Sequence, residues 1–229
     1  MKPASKLSGE ERRAAIIHAV RRAFADKGFH GTTTRELAAA AGVSEALLFK
    51  HFPNKEALYS AMLLSCSKED NAGKADRLAA LEPSTSTLAV MVHVLFSHVL
   101  GRKPGDDDDS VSARLMLRSM AEDGEFARLI LSRLATTWVP RVEACLEAAI
   151  TAGDAVAGPI PLNLRGRFVH QFAASVMFHL LPAACVVDYG LSREELVEQS
   201  VWFALRGMGV KEEAIRRVYN PKAWALCTG

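Results

Sequence analysis

The chain has 229 residues, 49% of them hydrophobic and 24% charged, with a formal net charge of only +2. That apolar content excludes a chain that is disordered as its main state, and the length suits one large domain or a small one joined to a larger one. Aromatics make up 7% while Ala and Leu are abundant, a balance that favours helices over a sandwich or barrel.

Charged Glu10, Glu11, Arg12 and Arg13 arrive before an apolar run of signal-peptide length can develop, so the expected location is cytoplasmic. Cys66, Cys145, Cys185 and Cys227 are widely spaced with no C-x-x-C pair, which points to reduced cysteines rather than a disulfide framework or a zinc site. Pro83 to Gly101 and Phe168 to Val187 lack formal charge over lengths that raise the membrane question. The first carries several Ser and Thr with His93 and His98, and the second carries His170, Gln171, Ser175, His179 and Pro182. Such groups are costly against lipid, so both stretches read as helices buried in a soluble protein, with no membrane partner.

The small net charge hides an asymmetry. Residues 1–55 hold ten Lys/Arg against five Asp/Glu, whereas the remainder holds 18 against 21. A basic head on a mildly acidic body suits a polyanion such as nucleic acid, although a basic surface is also often only solvated.

In chain order, Ile16, Ile17, Val20 and Phe24 form one stripe and Arg12, Arg13, Arg21 and Arg22 lie mainly off it, which predicts an amphipathic helix over about 9–27, ended by Gly28. Thr33-Thr34-Arg35-Glu36 has the form of a capping box, with Thr33 as N-cap, opening a short Ala-rich helix through Ala41. Gly42 stops it, Val43 is an apolar plug, and Ser44 caps a third helix running to about Phe52, where Pro53 enforces the end. Two short helices joined by a Gly-containing turn satisfy the helix-turn-helix pattern, with Leu37, Val43, Leu48 and Phe52 as packing contacts. If Leu48 and Phe52 point inward, Ala46 and Lys50 point outward, flanked by Glu45, Leu47, Phe49 and His51. Further helices are expected at 54–79, 85–101, 111–121, 125–151, 163–188 and 193–209, and the Asp106–Asp109 run reads as a solvated turn.

TTTRELAAAAGVSEALLFKHFPNKEALYSAM, residues 32–62, resembles the DNA-binding segment of the TetR family of transcriptional regulators. The paired threonines, the R-x-L-A run, the A-G-V-S turn, the H-F that ends the third helix and the N-K-E-x-L that opens the next carry the likeness, which covers about residues 10–62. The resemblance implies an all-α homodimer. A three-helix DNA-binding domain at 1–55 would precede a helical effector-binding and dimerisation domain at 56–217 and a C-terminal tail at 218–229. Carried over residue by residue, it places Thr33, Thr34 and Arg35 at the opening of the second helix. It places Ser44, Glu45, Ala46, Leu47, Phe49, Lys50 and His51 at the reading positions, and Lys55 at a backbone contact. Phe49 stands where the family commonly has Tyr, and Leu47 where a small or hydroxylated residue is common. From the residues alone, Phe49 also reads as a core ring, Lys50 and Lys55 as solvated lysines, and Glu45 as a helix N-terminal charge.

The body offers two further expectations. Val176, His179, Leu180 and Ala183, with Leu196, Ser200, Val201, Ala204, Leu205 and Met208, are candidates for a dimer interface, and the same stripe reads equally as intramolecular core. Phe172 lies on that stripe too. Met91, His93, Phe96, Met116, Trp138, Phe168, Gln171, Phe172 and Met177 are candidates for an effector cavity suited to an apolar or amphipathic guest, and ordinary core packing explains any one of them as well.

The helix at 54–79, capped by Asn54 with Leu58 and Met62 packing back, is the expected lever between the domains. No G-x-S-x-G, P-loop or G-x-G-x-x-G occurs, and the His spacings do not set two rings on one helix face, so no catalytic residue, metal or cofactor is expected. The function expected is a ligand-responsive repressor that binds a palindromic DNA operator as a dimer and is released by a small effector. The competing readings are a helical enzyme or small-molecule carrier with an incidental basic head, and an architectural DNA-binding protein indifferent to sequence.

Overall fold

A computed structural model describes residues 8–69, 80–100, 107–182 and 184–221. Among them are ten helices: α1 (Gly9–Lys27), α2 (Thr34–Ala40), α3 (Glu45–His51), α4 (Lys55–Glu69), α5 (Thr85–Leu100), α6 (Asp107–Ala121), α7 (Glu125–Thr151), α8 (Leu162–Leu180), α9 (Arg193–Gly207) and α10 (Glu212–Val218). The fold is all-α, and the one extended pairing in the described residues is an isolated antiparallel bridge between Ala155 and Val210.

The chain divides into two compact units, Met1–Ala72 with Asp107–Ile130, and Gly73–Asp106 with Leu131–Gly229. In the first, α1 starts at a capping box: the Ser8 hydroxyl accepts from the Glu11 N–H at 3.2 Å while the Ser8 N–H donates to Glu11 Oε2 at 2.7 Å. Its buried face carries Ile16, Val20 and Phe24, and it stops at Gly28, whose φ of 72° suits a residue without Cβ. Those side chains share a core with Leu37, Leu48, Phe52, Leu58 and Met62 from α2 to α4, and with Val111, Leu115 and Phe126 from later in the chain. Val111 and Leu115 arrive because α6 packs along α1, where Arg118 Nη2 also donates to the Asp26 carbonyl at 2.8 Å, and Phe126 comes from the first turn of α7. The head is therefore built from two separated stretches, an arrangement that a single cut in the sequence does not express.

The second unit is built on α5, which packs against α8, α9 and α10. Leu88, Val92, Phe96 and Leu100 of α5 meet Val142 and Leu146 of α7, Ala173 and Val176 of α8, and Val201, Leu205 and Met208 of α9. Arg165 is only 4% exposed there and is fully engaged: Nε donates to the Ile160 carbonyl at 2.9 Å, and Nη1 to those of Val156 at 2.9 Å and Met208 at 2.8 Å.

Two expected elements are revised and one is added. The helix expected at 163–188 ends at Leu180, because Pro182 has no N–H to return to the Phe178 carbonyl. The Asp run does not form a surface turn throughout, since α6 begins at Asp107. The seven-residue α10 was not foreseen. It docks through Ala214 and Ile215, and the following Tyr219 is buried, with its hydroxyl 3.1 Å from His93 Nδ1. Of the expected helix at 54–79, residues 70–79 lie outside the described residues, as do Ala183 and Cys227.

Candidate nucleic-acid interface

The interface is built on α3, and α3 is seven residues long, shorter than the ~12–15 residues an isolated helix needs in water. Its existence depends on caps and packing. The Ser44 hydroxyl accepts from the Leu47 N–H at 3.2 Å, and the Phe52 N–H closes the helix on the Leu48 carbonyl at 3.0 Å. Leu48 and Phe52, at 2% and 1% exposure, sit in the head core. The chain enters through Gly42, whose φ of 63° lies in the left-handed region.

Two further contacts fix the helix at either end. Thr34 Oγ1 donates to Glu45 Oε2 at 2.9 Å, joining the first turns of α2 and α3. Arg13 Nη1, from α1, donates to the His51 carbonyl at 2.6 Å while its guanidinium lies 4.1 Å from the Phe52 ring centre. A cation is well placed there, at the negative end of a helix dipole and over an aromatic face. Arg13 was missed in the sequence because its partner is 38 residues away and is a backbone carbonyl, which leaves no pattern.

The inward pair turns the rest of α3 outward. Glu45, Ala46, Phe49 and Lys50 are exposed and Leu47 and His51 half-buried. Phe49, at 42% exposure, is therefore not a core ring. Ser44, Thr33 and Arg35 are exposed and Thr34 half-buried. The threonine hydroxyls are already engaged: Thr33 Oγ1 bonds Glu36 Oε2 at 2.9 Å in the capping box of α2, and Thr34 holds Glu45. Lys27 reaches the same Glu36 carboxylate. Hydrogen bonding from Lys27, then from the Thr33 N–H and hydroxyl, holds the Glu36 carboxyl down at about 2. Lys55 lies with Nζ 4.4 Å from the Phe29 ring centre, and Asn54 Oδ1 caps α4 by accepting from the Ala57 N–H at 2.8 Å. The result is a short helix, held by caps, core packing and the Arg13 and Glu45 contacts, that leaves Ala46, Phe49 and the Lys50 cation exposed on one side.

The other candidates separate. Met91 and Phe96 are in the second core, with His93, Trp138, Phe172 and Met177 packed against it or half-buried. Phe96 and Phe172 ring centres are 5.5 Å apart, and burial pushes the His93 imidazole below its ordinary pKa. Met116 packs against the first core instead, and Phe168 at 53% exposure and Gln171 face outward, so these three do not line a cavity with the rest. A shallow cleft of about 270 Å³ is lined by Gln199, Trp202, Arg206, Glu212 and Arg216, none of them expected.

The dimer stripe needs correction. Val176, Leu196, Ser200, Val201, Ala204, Leu205 and Met208 are each 7% exposed or less within one chain. They pack inside the second unit and have no surface left for a partner; Leu180 also packs against that core, and His179 Nδ1 lies 3.1 Å from the Tyr189 hydroxyl. The apolar groups that α8 and α9 expose are on other faces: Leu164 at 37%, Phe168 at 53% and Phe203 at 67%. Of the two readings of this stripe, intramolecular core is the one that its burial fits.

Among the described residues no group of three or more His, Cys, Asp or Glu could hold a metal ion, and no helix is long and apolar enough to cross a membrane. Cys145 is a buried free thiol and Cys185 an exposed one.

Residues 16–62 match the family model for bacterial regulatory proteins of the tetR family. The chain is 31% identical over 118 residues to the HTH-type transcriptional repressor Rv1474c of Mycobacterium tuberculosis, covering 51% of this chain and 55% of that protein. It is 44% identical over 66 residues to the HTH-type transcriptional regulator RutR of Escherichia coli, 26% of this chain and 31% of that one. It thus spans about half the first relative and a third of the second. The fold is also similar to that of AibR, solved in complex with isovaleryl coenzyme A and operator DNA, with a TM-score of 0.64 at 20% identity over 84% of this chain and 97% of that one. Its sequence motif, the capped and outward-facing α3 and these likenesses agree: residues 16–62 are a helix-turn-helix segment of the kind found in bacterial regulatory proteins of the tetR family.

Proposed function

We propose that the protein is a ligand-responsive transcriptional repressor in which α3 enters the major groove of a palindromic operator. The observation that carries this reading is the division of α3 into an inward Leu48 and Phe52 and an outward Ala46, Phe49 and Lys50. Lys50 and Arg35 supply cationic contacts, Arg35 to phosphate or a guanine edge, while Leu47 and Phe49 offer apolar surface to thymine methyls. Thr33, Thr34, Ser44, Glu45, His51 and Lys55 complete the proposed contact set. Residues 1–55 are the proposed DNA-binding domain, 56–217 the effector-binding and dimerisation domain, and 218–229 the tail. It acts by binding rather than catalysis, in the cytoplasm, and needs no cofactor.

A single seven-residue reading helix binds weakly, so a dimer that spans two half-sites is part of the proposal. Phe168 and Phe203, with Leu164, are its apolar contact. The effector is a small molecule held in the second unit near Met91, His93, Phe96, Trp138, Phe172 and Met177. AibR, a protein of similar fold, is known with both an acyl coenzyme A and operator DNA, which supports a regulator having both kinds of partner. A coupling of about 1–3 kcal/mol between effector and operator would change DNA affinity about 5–150-fold.

The test is capture of genomic fragments on the purified protein followed by sequencing, with and without metabolite pools. One enriched palindrome, lost when a single compound is added, is the expected result. Retention without sequence preference at low ionic strength, or indifference to salt, refutes the reading.

A further inference from the structure

We infer that Arg141 anchors an anionic head group of the effector, a carboxylate or phosphoryl group carried on an apolar body. The inference rests on the regulator reading and names the chemical class of its ligand. Arg141 belongs to the part of α7 inside the second unit. Its Nε and Nη2 atoms are both buried and neither has a hydrogen-bond partner. These two nitrogens form one edge of the guanidinium, and their N–H bonds run parallel, the spacing at which two oxygens of a carboxylate or phosphoryl group accept together. Buried guanidinium nitrogens left without an acceptor are costly, and buried polar groups are otherwise nearly always satisfied.

The same unit shows what a structural arginine looks like. Arg165, which is buried where Arg141 is half-buried, donates to the Ile160, Val156 and Met208 carbonyls. Arg141 has no such set on its Nε and Nη2 edge, although it is fixed on a helix whose neighbouring side chains pack against α8. Trp138 and Val142, three residues before and one after, crowd the Gly166 Cβ position of α8 at 3.5 and 3.3 Å. Cys145, one turn on, accepts from the Ser84 backbone N–H and feels the Arg141 charge.

The experiment uses the full chain and three probes of one tail length: octanoate, octyl phosphate and octanol. Thermal melting and calorimetric titration are run on the wild type, Arg141→Met and Arg141→Lys, alongside binding to the captured operator without probe. At least one of the two anions raises the wild-type melting temperature and octanol does not; which anion does so identifies the head group. Arg141→Met, which removes an uncompensated buried charge, melts no lower than the wild type without probe, binds operator unchanged, and loses the anion's effect. Arg141→Lys keeps the charge but not the paired edge and binds the anion about tenfold more weakly. The inference is overturned if neither anion stabilises the wild type, if Arg141→Met is stabilised equally, or if that variant melts well below the wild type without probe, since the guanidinium would then have a structural partner. Failure of every form to select an operator is a separate result, which removes the regulator reading.

Discussion

Leu48 and Phe49 are adjacent in α3, one buried and one exposed, so on the proposed function the pair separates folding from reading. Leu48 is 2% exposed among Ile16, Val20, Phe24, Leu37, Phe52 and Leu58. Leu48→Ala deletes fully buried carbons and leaves a cavity under a helix too short to persist alone, which costs about 3 kcal/mol. With a urea slope of about 1.5 kcal/mol/M, the midpoint of the head's unfolding falls by about 2 M. Phe49 is 42% exposed, and Phe49→Ala therefore changes stability by less than about 1 kcal/mol. Its effect falls on DNA: losing an apolar base contact costs about 1–3 kcal/mol, a factor of about 5–150 in affinity. Because Phe49 is uncharged, the dependence of that affinity on salt keeps its slope. Circular dichroism in urea and fluorescence anisotropy with the captured operator, repeated over a salt series, measure both. The reasoning fails if Phe49→Ala unfolds the head as readily as Leu48→Ala, or leaves operator affinity untouched.

Lys50→Ala removes an outward charge, so operator binding weakens across sequences and the log–log salt slope becomes shallower by about one; an unchanged slope places Lys50 off the phosphates. Glu36 is held at about 2 against an ordinary 4.5. Its depressed value adds stability that is fully present above 4.5 and is lost as pH falls toward 2. In acid titrations followed by circular dichroism, Glu36→Gln is destabilised at neutral pH and flatter than the wild type over that interval. Arg165→Met leaves three carbonyls without their donor and lowers the second unit's stability by about 3 kcal/mol in chemical denaturation. Phe203→Asp sets a charge on the 67% exposed ring's site, and analytical ultracentrifugation at micromolar concentration is expected to show monomer, with operator affinity reduced.

The head was largely legible because its signals are local. The capping box at Thr33 and Glu36, the left-handed Gly42, the Ser44 cap and the Leu48–Phe52 spacing all act within a few residues, and each stands in the structure. What escaped depends on partners far along the chain. The pairing of α6 with α1 and the hold of Arg13 on the His51 carbonyl leave no periodic trace. The α8 and α9 stripe stayed open between two readings for a related reason. Val201, Leu205 and Met208 make a clean apolar stripe, but a stripe reports burial without saying whether the covering surface belongs to the same chain, and here it does. Arg141 was passed over because a single basic residue beside Trp138, Val142 and Cys145 resembles an ordinary exposed position until the environment of its nitrogens is known.

Of the stretch from Glu45 to Phe52, the hydrophobic core claims full burial of Leu48 and Phe52 alone. Ala46, Phe49 and Lys50 consequently carry almost no packing duty and can be exchanged at little thermodynamic expense. If α3 reads an operator as proposed, descendants of this chain are free to acquire new preferences through a handful of codon changes, while Arg13, the Ser44 cap and the Thr34–Glu45 tie keep the scaffold in register. Divergence of target sites can outpace divergence of architecture.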